Sequence, residues 1–144
     1  MKTTIDQKWN GKLVKVQGVL MVGRTALEIG LAVEGQAKLL APKDMGFLAA
    51  SITTQDYNGD GSEPESPSKY GKGGSAIGNM KIAKPTNPME VLVGTPLPYA
   101  PHMEFGTVKT DAQAFLRPAL SLAKGMALTI AMKNGKYYFR EFMK

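Results

Sequence analysis

The chain has 144 residues, 43% of them hydrophobic, which is the length of one domain with enough apolar content to bury a real core. It has no cysteine, which excludes disulfides, thiolate catalysis and every cysteine-based zinc site, and its single histidine is His102. The net charge is +6, and residues 111–144 alone hold six basic and two acidic groups.

Residues 1–9 read as an arm or short strand with no apolar signal-like core. Residues 12–40 carry a helical pattern. Val19, Val22, Ala26, Ile29, Val33, Ala37 and Leu40 share one face, and Leu13, Val16, Leu20, Leu27 and Leu31 form a second apolar stripe beside it. Two stripes on one helix require cover on two sides. Lys15, Arg24, Glu28, Glu34 and Lys38 interrupt the run, so it is not expected to span a membrane. Gly23 is the expected break or kink, with Thr25 available as an N-cap for a second segment. Pro42 ends the helix, because it disfavours helical geometry in the residue before it.

Pro42, Asp44 and Gly46 form a turn: proline presets φ, the carboxylate accepts from nearby amides, and glycine takes positive φ. Residues 51–57, SITTQDY, have strand composition. Residues 58–79 read as a long loop of Gly, Ser, Pro and charge. Asp56, Asn58, Asp60 and Gly61 fall at the first, third, fifth and sixth places of a calcium loop, but Pro67 stands where a bidentate Glu is needed. Residues 71–76, GKGGSA, resemble a phosphate loop only in glycine content. Residues 89–94 form the clearest strand, with Met89, Val91 and Val93 on one face.

Residues 98–120 make a punctuated corner. Pro101 suits the first turn of a short helix, and Gly106 stops that helix as a left-handed cap. Tyr99 and Phe105 are expected to be buried anchors. Arg117 and Glu104 are expected to pair across the corner, and Pro118 to open a last helix that Asn134-Gly135 ends. The His102-x-Glu104 pair lacks the Cys-x-x-Cys partner of the zinc deaminases, and no nucleophile elbow exists to use His102 as a base. No catalytic, metal or cofactor site is expected. Residues 134–144 form a basic, aromatic tail. Two readings of Lys133, Lys136 and Arg140 stand: a solvated surface favouring the helix C-terminus, or contacts to DNA or a partner. The expected fold is α+β in a single domain over 1–144. A long N-terminal helix and a C-terminal helix pack on a small, mostly antiparallel sheet with a long loop.

Four blocks carry a family resemblance. They are Ala41, Pro42, Asp44, Gly46, Leu48, Ser51 and Ile52; then Val91, Val93, Gly94 and Thr95; then Tyr99, Ala100, Glu104, Phe105, Gly106 and Thr107; then residues 115–120, FLRPAL. In this order and spacing, across residues 25–125, the chain resembles the phage minor tail-component family, the tail-completion or neck proteins of long-tailed phages and prophages. It departs at Met45, where the family usually has Thr, and at Ala114, where Pro is frequent. The glycine-rich loop and residues 134–144 match nothing in the family.

The resemblance implies a structural virion protein at the head–tail junction, assembled in the bacterial cytoplasm and using no cofactor. Copies would form a ring, a hexamer or dodecamer, against the head-closure or connector protein and the tail-terminator or tail-tube protein. DNA would pass without sequence-specific contact, and no membrane would be involved. The helix over 12–41 and the loop over 58–79 are expected to supply much of the ring contact, which must be heterologous to close. The rival readings are a basic nucleic-acid-binding module and a small enzyme using His102 and Glu104.

Overall fold

The computed structural model describes residues 11–43, 46–66, 69 and 82–140. Six elements follow in order: α1 (Gly11–Leu40), α2 (Phe47–Ser51), β1 (Thr53–Asp56), β2 (Val91–Gly94), α3 (Ala100–Phe105) and α4 (Leu116–Phe139). The architecture is α+β, two long helices on a two-stranded antiparallel sheet, as the sequence predicts.

Helix α1 contains no proline and runs without a break through Gly23. The expected interruption is therefore absent. Gly23 instead permits close approach: a Cβ there would lie 2.9 Å from the Pro88 carbonyl oxygen. Gly30 serves the same end, since a Cβ would meet Val91 Cγ1 at 2.6 Å and Thr54 Cγ2 at 2.9 Å. The sheet lies directly on the helix at that point. Thr25 caps nothing. It is buried, and its Oγ1 accepts a hydrogen bond from Asn134 Nδ2 at 3.2 Å.

That bond also accounts for the length of α4. Asn134 and Gly135 have the composition of a helix stop, yet α4 continues to Phe139, because the Asn134 side chain faces α1 rather than its own backbone. The pairs Asn134–Thr25 and Lys133–Glu28 (3.7 Å) make α1 and α4 antiparallel. Ala119 and Ala123 form part of a seam of small residues along α4 that allows the close approach.

Phe47–Ser51 is helical, so the strand expected over 51–57 narrows to Thr53–Asp56. Gly46, at φ 76°, starts that turn as expected, and Ser51 Oγ donates to the Leu48 carbonyl at 2.8 Å. Asp44 lies outside the described residues. Strand β2 begins at Val91 rather than Met89, because Asn87 turns the chain: its Oδ1 accepts from the Met89 amide and its carbonyl from the Glu90 amide. The register pairs Thr54 with Val93 and Asp56 with Val91.

Every residue of β1 is buried although all four are polar. Residues 60–62 run along its free edge, with Ser62 N–H donating to the Thr54 carbonyl at 3.0 Å and Asp56 N–H to the Asp60 carbonyl at 2.9 Å. The core proper joins Val33, Ala37 and Ala41 to Leu48, Ala49 and Ile52, and both groups to Ala100, Phe115, Ala119 and Ala123. Phe115 is its largest fully buried side chain.

Candidate functional site

Among the described residues three features stand out: the corner at α3–α4, a buried ion cluster on α1, and the outer faces of α1 and α4. In the corner, α3 is barely one and a half turns, so helical spacing brings Ala100, Met103 and Glu104 to the same side. Glu104 is 4% exposed. Its Oε2 accepts from the amides of Phe115 (2.8 Å) and Leu116 (2.9 Å), and its Oε1 from the Arg117 amide (3.0 Å) and from Arg117 Nε (3.0 Å). One carboxylate thus satisfies three amides at the start of α4 that have no partner within the helix. Pro118, in the same first turn, has no N–H to satisfy.

Burial alone would push the Glu104 pKa up. The three amides and the Arg117 guanidinium outweigh it and hold the carboxyl below its ordinary value. Arg117 closes the corner by donating from Nη2 to the Glu104 carbonyl at 2.8 Å and by stacking 4.8 Å above the Phe105 ring centroid.

The aromatic side chains sit elsewhere than expected. Tyr99 is 41% exposed and Phe105 68% exposed, so neither anchors the corner. Tyr99 precedes the short helix, and Phe105 points about 100° around from the inward Glu104. Phe115 and Ala100 fill the space instead. Gly106 has positive φ (77°) but an extended ψ (179°), so it ends α3 without making the expected left-handed cap, and a Cβ there would lie 2.8 Å from the Ala112 amide nitrogen. Val108 projects fully exposed from the tight turn closed by the Thr107–Thr110 pairing. His102 is exposed, while both Glu104 oxygens are committed to α4. The two do not form a proton-transfer pair.

The ion cluster is the feature that sequence reading missed. Lys38 Nζ lies 2.6 Å from Glu34 Oε1 and 2.7 Å from Glu65 Oε1. Glu34 Oε2 also accepts from the hydroxyls of Thr54 (2.7 Å) and Ser62. Burial disfavours the charge on Lys38, but its two carboxylate partners more than compensate and raise its pKa above the ordinary value. The cluster ties the segment after β1 to α1. Its sequence signal was Glu34 and Lys38 falling four residues apart beside the core residues Val33 and Ala37.

The outer surface is apolar to an unusual degree. On α1, Leu13, Val16, Leu20 and Leu31 of the second stripe are each more than 40% exposed. On α4, Leu120, Leu122, Leu128, Met132 and Tyr137 are exposed as well. By length and composition alone, α1 would qualify to cross a membrane, with Arg24 and Glu28 near the middle of its length. An apolar hollow of about 510 Å³ opens between α1, β2 and the start of α4, lined by Ile29, Val33, Val91, Val93, Leu116 and Leu120. Lys133 is 3.7 Å from Glu28 but largely exposed, and Lys136 and Arg140 are exposed on the same face of α4. Among the described residues no group of three or more His, Asp or Glu comes together to hold a metal ion.

The four blocks of the sequence resemblance meet within this framework. Ser51 and Thr95 join the first and second through a 2.6 Å hydroxyl contact, and Glu104 joins the third to the fourth. No protein-family model, no curated protein and no solved structure matches the chain.

Proposed function

We propose that this protein is a structural subunit of a phage neck or tail top, which assembles as a homo-oligomeric ring at the head–tail junction and lets DNA pass. The observation that carries the assembly reading is the uncovered apolar stripe of α1. Four large side chains on one face of α1 are more than 40% exposed, and apolar side chains of α4 are exposed as well, the kind of surface that marks a protein contact. A second copy supplies the cover. The phage context comes from the four sequence blocks, and the mutual contacts among them support treating those blocks as one unit. The subunit neighbours are then the head-closure or connector protein on one side and the tail-terminator or tail-tube protein on the other. The reading assigns no catalytic step, no cofactor and no membrane.

Leu20→Asp with Leu31→Asp tests the carrying observation. Both residues are exposed, so the chain should keep its far-ultraviolet circular dichroism while losing its assembly in light scattering. Unchanged assembly would reject this face as the subunit contact. Co-sedimentation of the unaltered protein with anionic vesicles, lost in the double variant, would replace assembly by membrane attachment.

A further inference from the structure

The charge of this chain is segregated, and the fold gathers it. Residues 29–132 hold nine basic and nine acidic groups and are neutral. Residues 1–28 and 133–144 together hold nine basic and three acidic groups, so these two segments account for the whole net charge of +6. They lie at opposite ends of the sequence. The antiparallel pairing of α1 with α4 brings their described parts, residues 11–28 and 133–140, to the same end of the helix pair, since Asn134 bonds Thr25 and Tyr138 shares a hollow with Val19, Leu20 and Gly23.

Among the described residues this end presents Lys12, Lys15, Arg24, Lys133, Lys136 and Arg140, all exposed. Among the described residues the carboxylates beside it are Glu28, engaged by Arg24 and Lys133, and Asp56 and Asp60, which line a shared hollow with Arg24. At a rise of about 1.5 Å per residue, Lys15 stands only roughly 6 Å along the axis from the level of Arg140.

We propose that this end of the α1–α4 pair is a contact surface for the phosphate backbone of double-stranded DNA. The cations are arranged for a polyanion met through charge. Lys133, Lys136 and Arg140 fall within about 60° of one another around α4, and Lys15 lies about 160° around α1 from Leu13, away from the apolar stripe. A membrane surface would require basic and apolar groups on one immersed face. Here the cations share no single face with the stripe: Arg24 lies about 20° from Leu13 within it, Lys15 about 160° away from it, and three more stand on the neighbouring helix α4. The proposed contact is to phosphate alone and is therefore independent of base sequence. The inference goes beyond the ring reading and does not require it: mass tests the ring, and salt dependence tests this surface.

The test is fluorescence anisotropy of a labelled random-sequence duplex with the full chain, titrated over salt. With about five net charges engaged, log affinity should fall against log salt with a slope near −4.5 per engaged chain, about a 500-fold loss between 50 and 200 mM. Lys133→Gln, Lys136→Gln and Arg140→Gln together should flatten the slope by about 2.7, and Lys12→Gln with Lys15→Gln by about 1.8. Lys109→Gln with Lys124→Gln, exposed cations outside this end, should leave it unchanged. A slope insensitive to the α1 pair, or equally sensitive to the control pair, overturns the proposal. So does failure to bind duplex at low salt, with or without binding to phosphatidylserine vesicles.

Discussion

Replacing Glu104 by alanine should unfasten the start of α4. The carboxylate is 4% exposed and accepts from the Phe115, Leu116 and Arg117 amides at 2.8–3.0 Å and from Arg117 Nε at 3.0 Å. Loss of an N-cap costs about 0.5–2 kcal/mol, and a buried donor left without its charged acceptor costs about 1–3 kcal/mol. Because Phe115 is fully buried, water cannot readily replace the carboxylate at its amide, and we expect a total of about 3 kcal/mol. Glu104→Gln keeps one acceptor oxygen and should lose about 2 kcal/mol. The assay is urea unfolding followed by circular dichroism at fixed protein concentration. The folded pKa of Glu104 is depressed, so its contribution is fully present above the unfolded value of about 4.5 and is lost as pH falls through the folded pKa. The gap between wild type and Glu104→Ala should therefore narrow in acid. A loss below about 0.5 kcal/mol at pH 7, or a gap that widens in acid, would refute the capping role.

Three further outcomes follow from the same physics. Lys38→Met should cost about 3–5 kcal/mol in urea unfolding, since it strands the buried Glu34 carboxylate, and Glu34→Gln in the same chain should recover part of that loss. The raised Lys38 pKa predicts stability that is present below pH 10.5 and lost as pH rises through the folded value, which a pH series of unfolding midpoints checks. Gly30→Ala should cost about 1–3 kcal/mol, because its methyl would press on Val91 and Thr54, whereas Gly35→Ala, which meets nothing within 4 Å, should gain up to about 1 kcal/mol.

What the sequence made legible was local. The extent of α1 follows from a long run without proline, closed by Pro42, and β2 from alternation in a short apolar run. The Glu104–Arg117 pair was legible because two turns bring the residues within reach. The errors arose where a residue has two uses that only a distant partner can separate. Gly23 reads equally as a break or as a close approach, and Pro88, on another segment, decides for the second. Asn134 reads as a helix stop until Thr25, 109 residues away, claims its side chain. Tyr99 and Phe105 looked like anchors by size, but helical spacing in α3 turned a charged residue inward and left the aromatic ring stacked on Arg117 at the surface. The gathering of charge at one end could not be seen without the antiparallel helix pairing.

The central claim is that the apolar face of α1 and α4 is covered by further copies of the chain. Light scattering on the purified protein, backed by native mass spectrometry, measures this directly. A closed ring of the 15.5 kDa chain predicts one species at about 93 kDa for six copies or about 186 kDa for twelve, with a central opening in negative-stain images. A species of 15.5 kDa at every concentration, both alone and in every complex isolated with it, would contradict the account.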